Sequence, residues 1–155
     1  MPVRLACEQE LETVNQLRRQ VHELHAKGKP EVFKQGFPDE LREHIYDIWR
    51  DPMQDIAVCE RAGEIVGFAV LHHIVRPETP FMYVRDYIDV DEFGVDEAHR
   101  RRGVATELVE FNKDYARGKG MQKVELNMWE FNSSALAFYE EAGFTTYRRY
   151  MELLI

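Results

Sequence analysis

The hydrophobic period of the chain changes after residue 52, and this change constrains the fold more than any other feature of the sequence. Before it, two sets of apolar residues recur at helical spacing: Val14, Leu17, Val21 and Leu24, then Leu41, Ile45 and Ile48. Charged residues such as Arg18 mostly fall outside the first set. After it, residues 55–61 and 64–75 are β-branched and apolar, and Ala62-Gly63 joins them as a hairpin turn. The chain is therefore predicted to begin with two amphipathic helices, followed by two antiparallel strands.

The remaining elements follow from shorter patterns of the same kind. A strand is predicted at residues 3–6, an irregular strand at 81–95, a helix at 104–118, a strand at 123–129, a helix at 133–142 and one long last strand at 144–154. The resulting order is β-α-α-β-β-β-α-β-α-β. This order predicts an α/β fold with a mixed sheet rather than a simple βαβ repeat.

Size and charge limit the kinds of protein that this chain can be. Its 155 residues are 45% hydrophobic and show no repeat or low-complexity tract, so a single domain over residues 1–155 is predicted. Lys and Arg number 20 against 28 Asp and Glu, and the net charge of −8 disfavours nucleic acid and anionic membranes as partners. The apolar stretches are too short for a membrane span or a secretion signal. Cys7 and Cys59 lack a CxxC spacing, so a cytoplasmic protein without a disulfide framework is predicted.

No metal site is predicted from the histidines and cysteines. His22 and His25 form an HxxH pattern on the first helix, but no third ligand is suggested nearby, so both are expected to face solvent. Cys59 lies in an apolar strand and is expected to pack in the core, which argues against a covalent intermediate on cysteine.

Residues 95–111 run from a strand through a tight turn into a helix and carry Arg100-x-x-Gly103-x-Ala105 at the turn. The first turn of a helix has unpaired N–H groups and partial positive charge, and small residues let a ligand approach the backbone closely. Three consecutive arginines add positive charge at the same place. The pattern predicts a phosphate site, although three arginines at a helix start also fit a purely solvated face.

A second motif follows the strand at 123–129 and reads Asn132-x-x-Ala135-x-x-Phe138-Tyr139-x-x-x-Gly143-Phe144. Its asparagine is suited to cap the next helix. Together the two motifs resemble the GNAT superfamily of acyl-CoA-dependent N-acetyltransferases. In that family a strand, a Q/R-x-x-G-x-G/A pyrophosphate loop and its helix precede a strand and an NxxAxxFYxxxGF helix. The resemblance covers the element order of the whole chain and is closest over residues 91–144.

The resemblance implies acetyl-CoA as co-substrate and a central sheet that splays open. N–H groups of the turn would bind the pyrophosphate, and the pantetheine arm would lie along the strand before it like an added strand. The N–H of Val95 would polarise the thioester carbonyl. The cofactor-binding residues implied are Phe93, Val95, Arg100, Arg101, Arg102, Gly103, Val104, Ala105, Thr106, Asn132 and Phe138.

Two residues are implied to act in catalysis. Tyr139 matches the family tyrosine near the thioester sulfur, and a phenol of pKa about 10 can protonate a thiolate of pKa near 8.5. Alternatively, Tyr139 is a core aromatic residue on an amphipathic helix. Glu92 matches a position where relatives often carry an acid and would take a proton from the amine. Asp89 and Asp91 compete for this role, and each of the three also fits an exposed strand position.

These observations predict a cytoplasmic, metal-independent N-acetyltransferase that moves acetyl directly from acetyl-CoA to an amine in a ternary complex. The amine, on a small molecule or a protein, is expected between the first two helices, the loop at 27–38 and residues 76–91. One alternative is a non-catalytic acyl-CoA sensor of the same fold. A second is a nucleic-acid-binding module that uses the arginines at 100–102 together with Arg148-Arg149.

The C-terminus departs from the usual family pattern. Most relatives end with two strands joined by a hairpin, whereas only eleven residues follow Phe144 here and they contain no turn signal. One long strand is therefore predicted, and its unpaired edge suits a homodimer through the C-terminal strand.

Overall fold

The elements follow the predicted order as far as the last helix. The structure, a computed structural model, describes residues 2–155. Within them the strands are β1 (Val3–Leu5), β2 (Gln54–Arg61), β3 (Glu64–Arg76), β4 (Arg85–Val95) and β5 (Val124–Leu126). The helices are α1 (Leu11–Gly28), α2 (Asp39–Arg50), α3 (Val104–Gly118) and α4 (Ser133–Glu141). The predicted α/β class is confirmed.

The strands form one mixed sheet in the order β1-β2-β3-β4-β5. The first four pair antiparallel, and β5 pairs parallel with β4 because α3 crosses between them. The irregularity predicted in β4 is a β-bulge. Val70 of β3 pairs with Glu92 and Leu71 pairs with Val90, so Asp91 is the extra residue on β4.

Helices cover both faces of the sheet. The cluster under α3 includes Ala69, Leu71, Ile88, Val90, Val104 and Leu108. The cluster under α1 and α2 includes Leu11, Val14, Leu17, Ile45, Ile48, Phe68 and Val70. The predicted apolar stripes therefore pack in the core, apart from Leu24, which is exposed. Because successive side chains of a strand point to opposite faces, the residues of β4 face α3 and α1 in turn. The bulge at Asp91 shifts this alternation, so Val90 and Phe93 both face α3.

β4 and β5 pair over a short distance and then separate. Their ladder ends where Val90 pairs with Leu126. β4 continues to pair with β3 as far as Val95. Beyond Val90, the edge of β4 therefore faces a gap instead of a strand. This gap is the splay that the resemblance implies.

At the opposite end, the β3–β4 hairpin extends beyond its neighbours. The β2–β3 pairing stops at His72, and the β4–β5 pairing begins at Ile88. Residues 73–87 therefore form a two-stranded arm.

The predicted last strand is absent from the described chain. Residues 144–155 contain no strand, and most of their large apolar side chains are exposed. An extended segment becomes a strand only where another backbone pairs with it, and no edge of the sheet does so here. The prediction of a long final strand is therefore wrong for the single chain.

Candidate active site

The turn before α3 presents backbone amides that lack partners. Arg101 and Gly103 have φ angles of 62° and 82°, and alternating conformations of this kind bring neighbouring N–H groups together. Within residues 2–155, the amides of residues 100–103 donate no hydrogen bond to a backbone carbonyl. The first amides of α3, from Val104 to Thr106, lack partners as in any helix start. These groups together form a site that suits a phosphate.

Space and charge at this turn also fit a phosphate. A Cβ added at Gly103 would meet no atom within 4 Å, so the turn is open above its backbone. Arg100, Arg101 and Arg102 are exposed around it. The pyrophosphate of acetyl-CoA is an anion of matching size and charge, so the residues present fit the group that the sequence implies.

Backbone N–H groups of β4 face the gap. The N–H of Asp96 donates to Val66 on β3 at 2.8 Å. Since peptide groups alternate in direction along a strand, the N–H groups of Val95 and Phe93 point away from β3, toward the gap. A ligand that enters beside α3 and extends along this edge can pair with both amides, as an added strand does.

Helix α4 covers the gap on the α3 side with aromatic rings. The ring of Tyr139 lies 6.0 Å from that of Phe93, and the ring of Phe138 lies 6.5 Å from it. Burial raises the pKa of Tyr139 to about 12, so its hydroxyl keeps its proton at neutral pH. The Asn132 side chain accepts from the N–H of Ala135 at 3.2 Å, which confirms the predicted cap. The structure thus brings Tyr139, Phe138 and Phe93 together.

The opposite side of β4 carries a partly buried ion pair that the sequence did not predict. Arg18 of α1 is 2% exposed, and its Nε and Nη2 donate to the two carboxylate oxygens of Glu92 at 2.9 and 3.2 Å. Its Nη1 donates to Asn15 and to the Leu41 carbonyl. Arg18 lies one helical turn after Val14, and this spacing is the sequence feature that could have indicated its burial. Glu92, the predicted base, is therefore bound on both oxygens by a cation.

Asp89 lies on the same side without such a partner. Its neighbours Ile88 and Val90 are buried under α3, so Asp89 faces the α1 side at the last rungs before the gap. Burial, with the charges of Asp91 and Glu125, raises the pKa of Asp89 to about 6, while His72 and Arg76 act against the rise. Among residues 2–155, no side chain donates a hydrogen bond to Asp89.

Aromatic side chains border the same side of the molecule near the gap. Phe33, in the loop after α1, lies 5.0 Å from the His25 ring and 5.1 Å from the Trp129 ring. Burial, and to a smaller extent His22, lowers the pKa of His25. His25 is thus half-buried rather than solvent-facing as predicted. A cavity of about 680 Å³ adjoins this cluster and is lined by His22 and residues 32–38, 40 and 41.

Residues 2–155 contain no group of three or more His, Cys, Asp or Glu side chains arranged to hold a metal ion. In the same residues, no helix is long and apolar enough to span a membrane.

Comparison with known proteins identifies the family. A family model described as the Acetyltransferase (GNAT) family matches residues 18–144, which is most of the chain. The chain belongs to the GNAT family. This GNAT protein is 34% identical over 89 residues to the uncharacterized N-acetyltransferase MJ1207 of Methanocaldococcus jannaschii, over 56% of this chain and 37% of that protein. It is 32% identical over 66 residues to N-alpha-acetyltransferase 30 of Schizosaccharomyces pombe, over 43% of each. The matches span less than half the length of these curated relatives.

Solved structures agree with this GNAT assignment. A tetramutant of the BH1408 protein of Bacillus halodurans is 26% identical, with a TM-score of 0.94 and full coverage of both chains. The aminoglycoside N-acetyltransferase AAC(6')-Iy in complex with CoA is 19% identical, with a TM-score of 0.76, over 99% of this chain and 93% of that one. At this identity the second similarity shows the GNAT fold alone.

Proposed function

We propose that this GNAT protein is an acetyl-CoA-dependent N-acetyltransferase that transfers acetyl directly to an amine in a ternary complex. The observation that carries the proposal is the gap between β4 and β5. It has the open turn at Gly103 at one end, free amides of β4 along its side and Tyr139 beside it. This arrangement supports binding of a long molecule with a pyrophosphate at one end.

When bound, acetyl-CoA supplies a thioester whose carbonyl carbon can accept an amine. Residues 100–106 would hold the pyrophosphate, and Asn132 and Phe138 would contact the pantetheine arm. The N–H of Val95 would donate to the thioester carbonyl and so stabilise negative charge on its oxygen. Tyr139 is protonated at neutral pH and donates its proton to the departing thiolate.

The proposal assigns the base to the acidic side of β4. The sequence favours Glu92, but the Nε and Nη2 groups of Arg18 donate to both of its carboxylate oxygens, so each oxygen already accepts a hydrogen bond from within the chain. Asp89 has no such cation and a pKa near 6, which suits proton acceptance at neutral pH. We therefore assign proton acceptance to Asp89, directly or through one water. Glu92 holds Arg18 and so ties α1 to β4.

The same charges favour a cationic acceptor. Asp86, Asp89, Asp91 and Glu92 follow one another along β4, and the cavity beside His22 lies on the α1 side. Opposite charge attracts a protonated amine, so polyamine-like, amino-sugar or lysine-like amines are expected to be better acceptors than amines with nearby carboxylates or phosphates. Activity is expected to weaken as salt rises.

Cofactor binding is tested with a matched pair of glycine variants. Acetyl-CoA at a hundred times its dissociation constant should stabilise the fold by about 2.7 kcal/mol and raise Tm. Gly103→Val should abolish most of this shift. Gly120→Val is the control, because Gly120 has a φ of 78° and equally open surroundings, so the backbone strain is similar. A full shift in Gly103→Val would place the cofactor elsewhere.

Turnover is tested with a panel of amines and acetyl-CoA, by measuring release of free thiol. Release that depends on a cationic amine supports the transferase. Acetyl-CoA binding without release on any amine would favour the sensor of the same fold. Better turnover with anionic amines would contradict the acceptor assignment.

A further inference from the structure

The turn before α3 is not held in place by hydrogen bonds from its own amides. Within residues 2–155, residues 100–103 donate none to a backbone carbonyl, and the arginines among them are exposed. The conformation of the turn therefore depends on the two segments that flank it. One is α3, whose first residue, Val104, is buried in the core. The other is residues 96–99, which we call the anchor.

Gln20 of α1 binds the anchor through both ends of its side-chain amide. Its Nε2 donates to Asp96 Oδ1 at 2.8 Å, and its Oε1 accepts from the N–H of Glu97 at 3.0 Å. The backbone N–H of Glu97 can only donate, so it fixes which end of the amide faces it. One side chain therefore satisfies a carboxylate oxygen and a backbone group directly after the end of β4 at Val95.

The second oxygen of Asp96 extends these contacts to the residue before the turn. Nδ1 of His99 lies 2.7 Å from Asp96 Oδ2, and the His99 backbone N–H donates to the Asp96 carbonyl at 2.9 Å. Hydrogen bonds from Gln20 and His99 lower the pKa of Asp96, so its carboxylate is ionised at neutral pH and can only accept. Nδ1 of His99 is therefore the donor. Contacts thus run from α1 through Asp96 to His99, which directly precedes Arg100.

Helix α1 is itself fixed against β4 near Gln20. Arg18 pairs with Glu92, and a Cβ added at Gly94 would lie 2.6 Å from Cγ2 of Val21, so the helix approaches the strand closely there. Gln20 lies between Arg18 and Val21 on α1, and its side chain is partly buried. The Gln20 amide is therefore carried by a part of the helix that is held in place.

We propose that Gln20 is a positioning residue for acetyl-CoA, which fixes the turn at residues 100–103 through Asp96 and Glu97 so that its amides point at the pyrophosphate site before binding. The inference rests on the proposed function, because it assumes that this turn binds the pyrophosphate. Gln20 acts on the turn and not on the reacting atoms. Amides that are ordered in advance lose less conformational entropy when the anion binds. A residue that only stabilised the fold would affect every ligand of the gap equally.

Gln20→Met tests this role, because methionine has a similar length and helix propensity but cannot donate to Asp96. The acetyl-CoA Kd should rise roughly tenfold, the effect of losing one hydrogen bond to a charged group. The kcat at saturating acetyl-CoA and the KM of the amine should stay within about twofold of the parent values. Gln16→Met is the control, since Gln16 lies one turn earlier on α1 and is exposed. It should leave the Kd unchanged.

A truncated substrate separates positioning from a general loss of structure. S-acetylpantetheine has the thioester and the pantetheine arm but no pyrophosphate. Gln20→Met should therefore lower kcat/KM roughly tenfold with acetyl-CoA and leave kcat/KM with S-acetylpantetheine nearly unchanged. Equal losses with both substrates, or an unchanged acetyl-CoA Kd, would contradict this inference alone. A parent protein that does not bind acetyl-CoA would overturn the proposed function and this inference together.

Variants of Asp96 test the path from Gln20 to the turn. Asp96→Asn keeps an oxygen that accepts from Gln20, so it should lose much less acetyl-CoA affinity than Asp96→Ala. In the double variant of Gln20→Met with Asp96→Ala, the rise in Kd should be smaller than the product of the two single rises, because both changes remove the same contact. Effects that multiply in full would show that the two residues act independently and would overturn the proposal.

Discussion

The two sides of β4 differ in how their polar groups are satisfied. At the edge toward the gap, the amides of Phe93 and Val95 have no partner on β5, and on the α3 side of this edge Tyr139 is surrounded mainly by aromatic rings. On the α1 side, Glu92 and Arg18 satisfy each other through a bidentate ion pair. Groups that pair within the chain stabilise the fold, whereas unpaired groups along a gap remain available to a ligand.

This difference separates structural from catalytic roles among residues that lie on or beside β4. Glu92 is expected to affect the free energy of unfolding, and Tyr139 the rate of reaction. Asp89 is expected to affect both quantities. It is half-buried beside the negative charges of Asp91 and Glu125, and no cation donates a hydrogen bond to it. Variants of these three residues therefore test the comparison.

The largest effect is expected on stability, from Glu92→Gln. The change leaves the buried Arg18 guanidinium without its carboxylate, and because Glu92 itself is 24% exposed the loss should approach, at most, the roughly 3–5 kcal/mol of a fully buried pair. Urea unfolding measures this loss. Glu12→Gln is the control, since Glu12 pairs with Arg42 on the surface and exposed pairs contribute about 1 kcal/mol or less. Equal losses in the two variants would remove the distinction between the sides of β4.

Tyr139→Phe should lower kcat by roughly 10²-fold, because the departing thiolate loses its proton donor. The ring volume hardly changes, so acetyl-CoA affinity and the free energy of unfolding should be nearly kept. Tyr46→Phe removes a hydroxyl that donates to Glu12, away from the gap, and serves as the control. Full activity of Tyr139→Phe would transfer the proton donor role to water.

Asp89→Asn should lower the rate roughly tenfold at neutral pH, and less at pH 9, where more free amine is present. In the parent protein, kcat/KM should rise with pH through about 6 as Asp89 loses its proton. That rise should vanish in Asp89→Asn. Asp91→Asn should move the rise to lower pH, because it removes a negative charge that raises the pKa of Asp89. An unchanged profile in both variants would return the role to Glu92.

The raised pKa of Asp89 also makes the free energy of unfolding depend on pH. Folded Asp89 holds its proton more tightly than the unfolded residue, so the free energy of unfolding should fall as pH rises from 3.8 to about 6. Asp89→Asn should remove this part of the fall, as measured by urea unfolding at several pH values.

The smallest effect is expected from Asn132→Ala at the start of α4. Loss of the hydrogen bond to the Ala135 amide should cost about 1 kcal/mol in the free energy of unfolding. If Asn132 also binds the pantetheine arm, Asn132→Ala should raise the acetyl-CoA Kd as well. Asn132→Asp keeps the cap, so a change of Kd in that variant reports the pantetheine contact alone. Unchanged affinity in both variants would leave Asn132 a cap only.

The local elements of this protein were predictable because they depend on local patterns. Helices α1 to α4 follow from apolar spacing, and the turn before α3 follows from Gly103, whose positive φ favours glycine. The sequence also predicted the cap at Asn132. These features depend on residues within a few positions of one another, so one sequence contains the necessary information.

Pairings between distant residues were decided only by the tertiary structure. Arg18 and Glu92 are 74 residues apart, and only the packing of α1 on β4 brings them into contact. The raised pKa of Asp89 depends on burial and on Glu125 of another strand. Residues 144–155 have the composition of a strand, but a strand requires a partner edge, which no local pattern supplies. Sequence by itself determined the elements that depend on local patterns. The three-dimensional arrangement decided whether the last segment finds a strand to pair with, which charges are satisfied and which edges remain open.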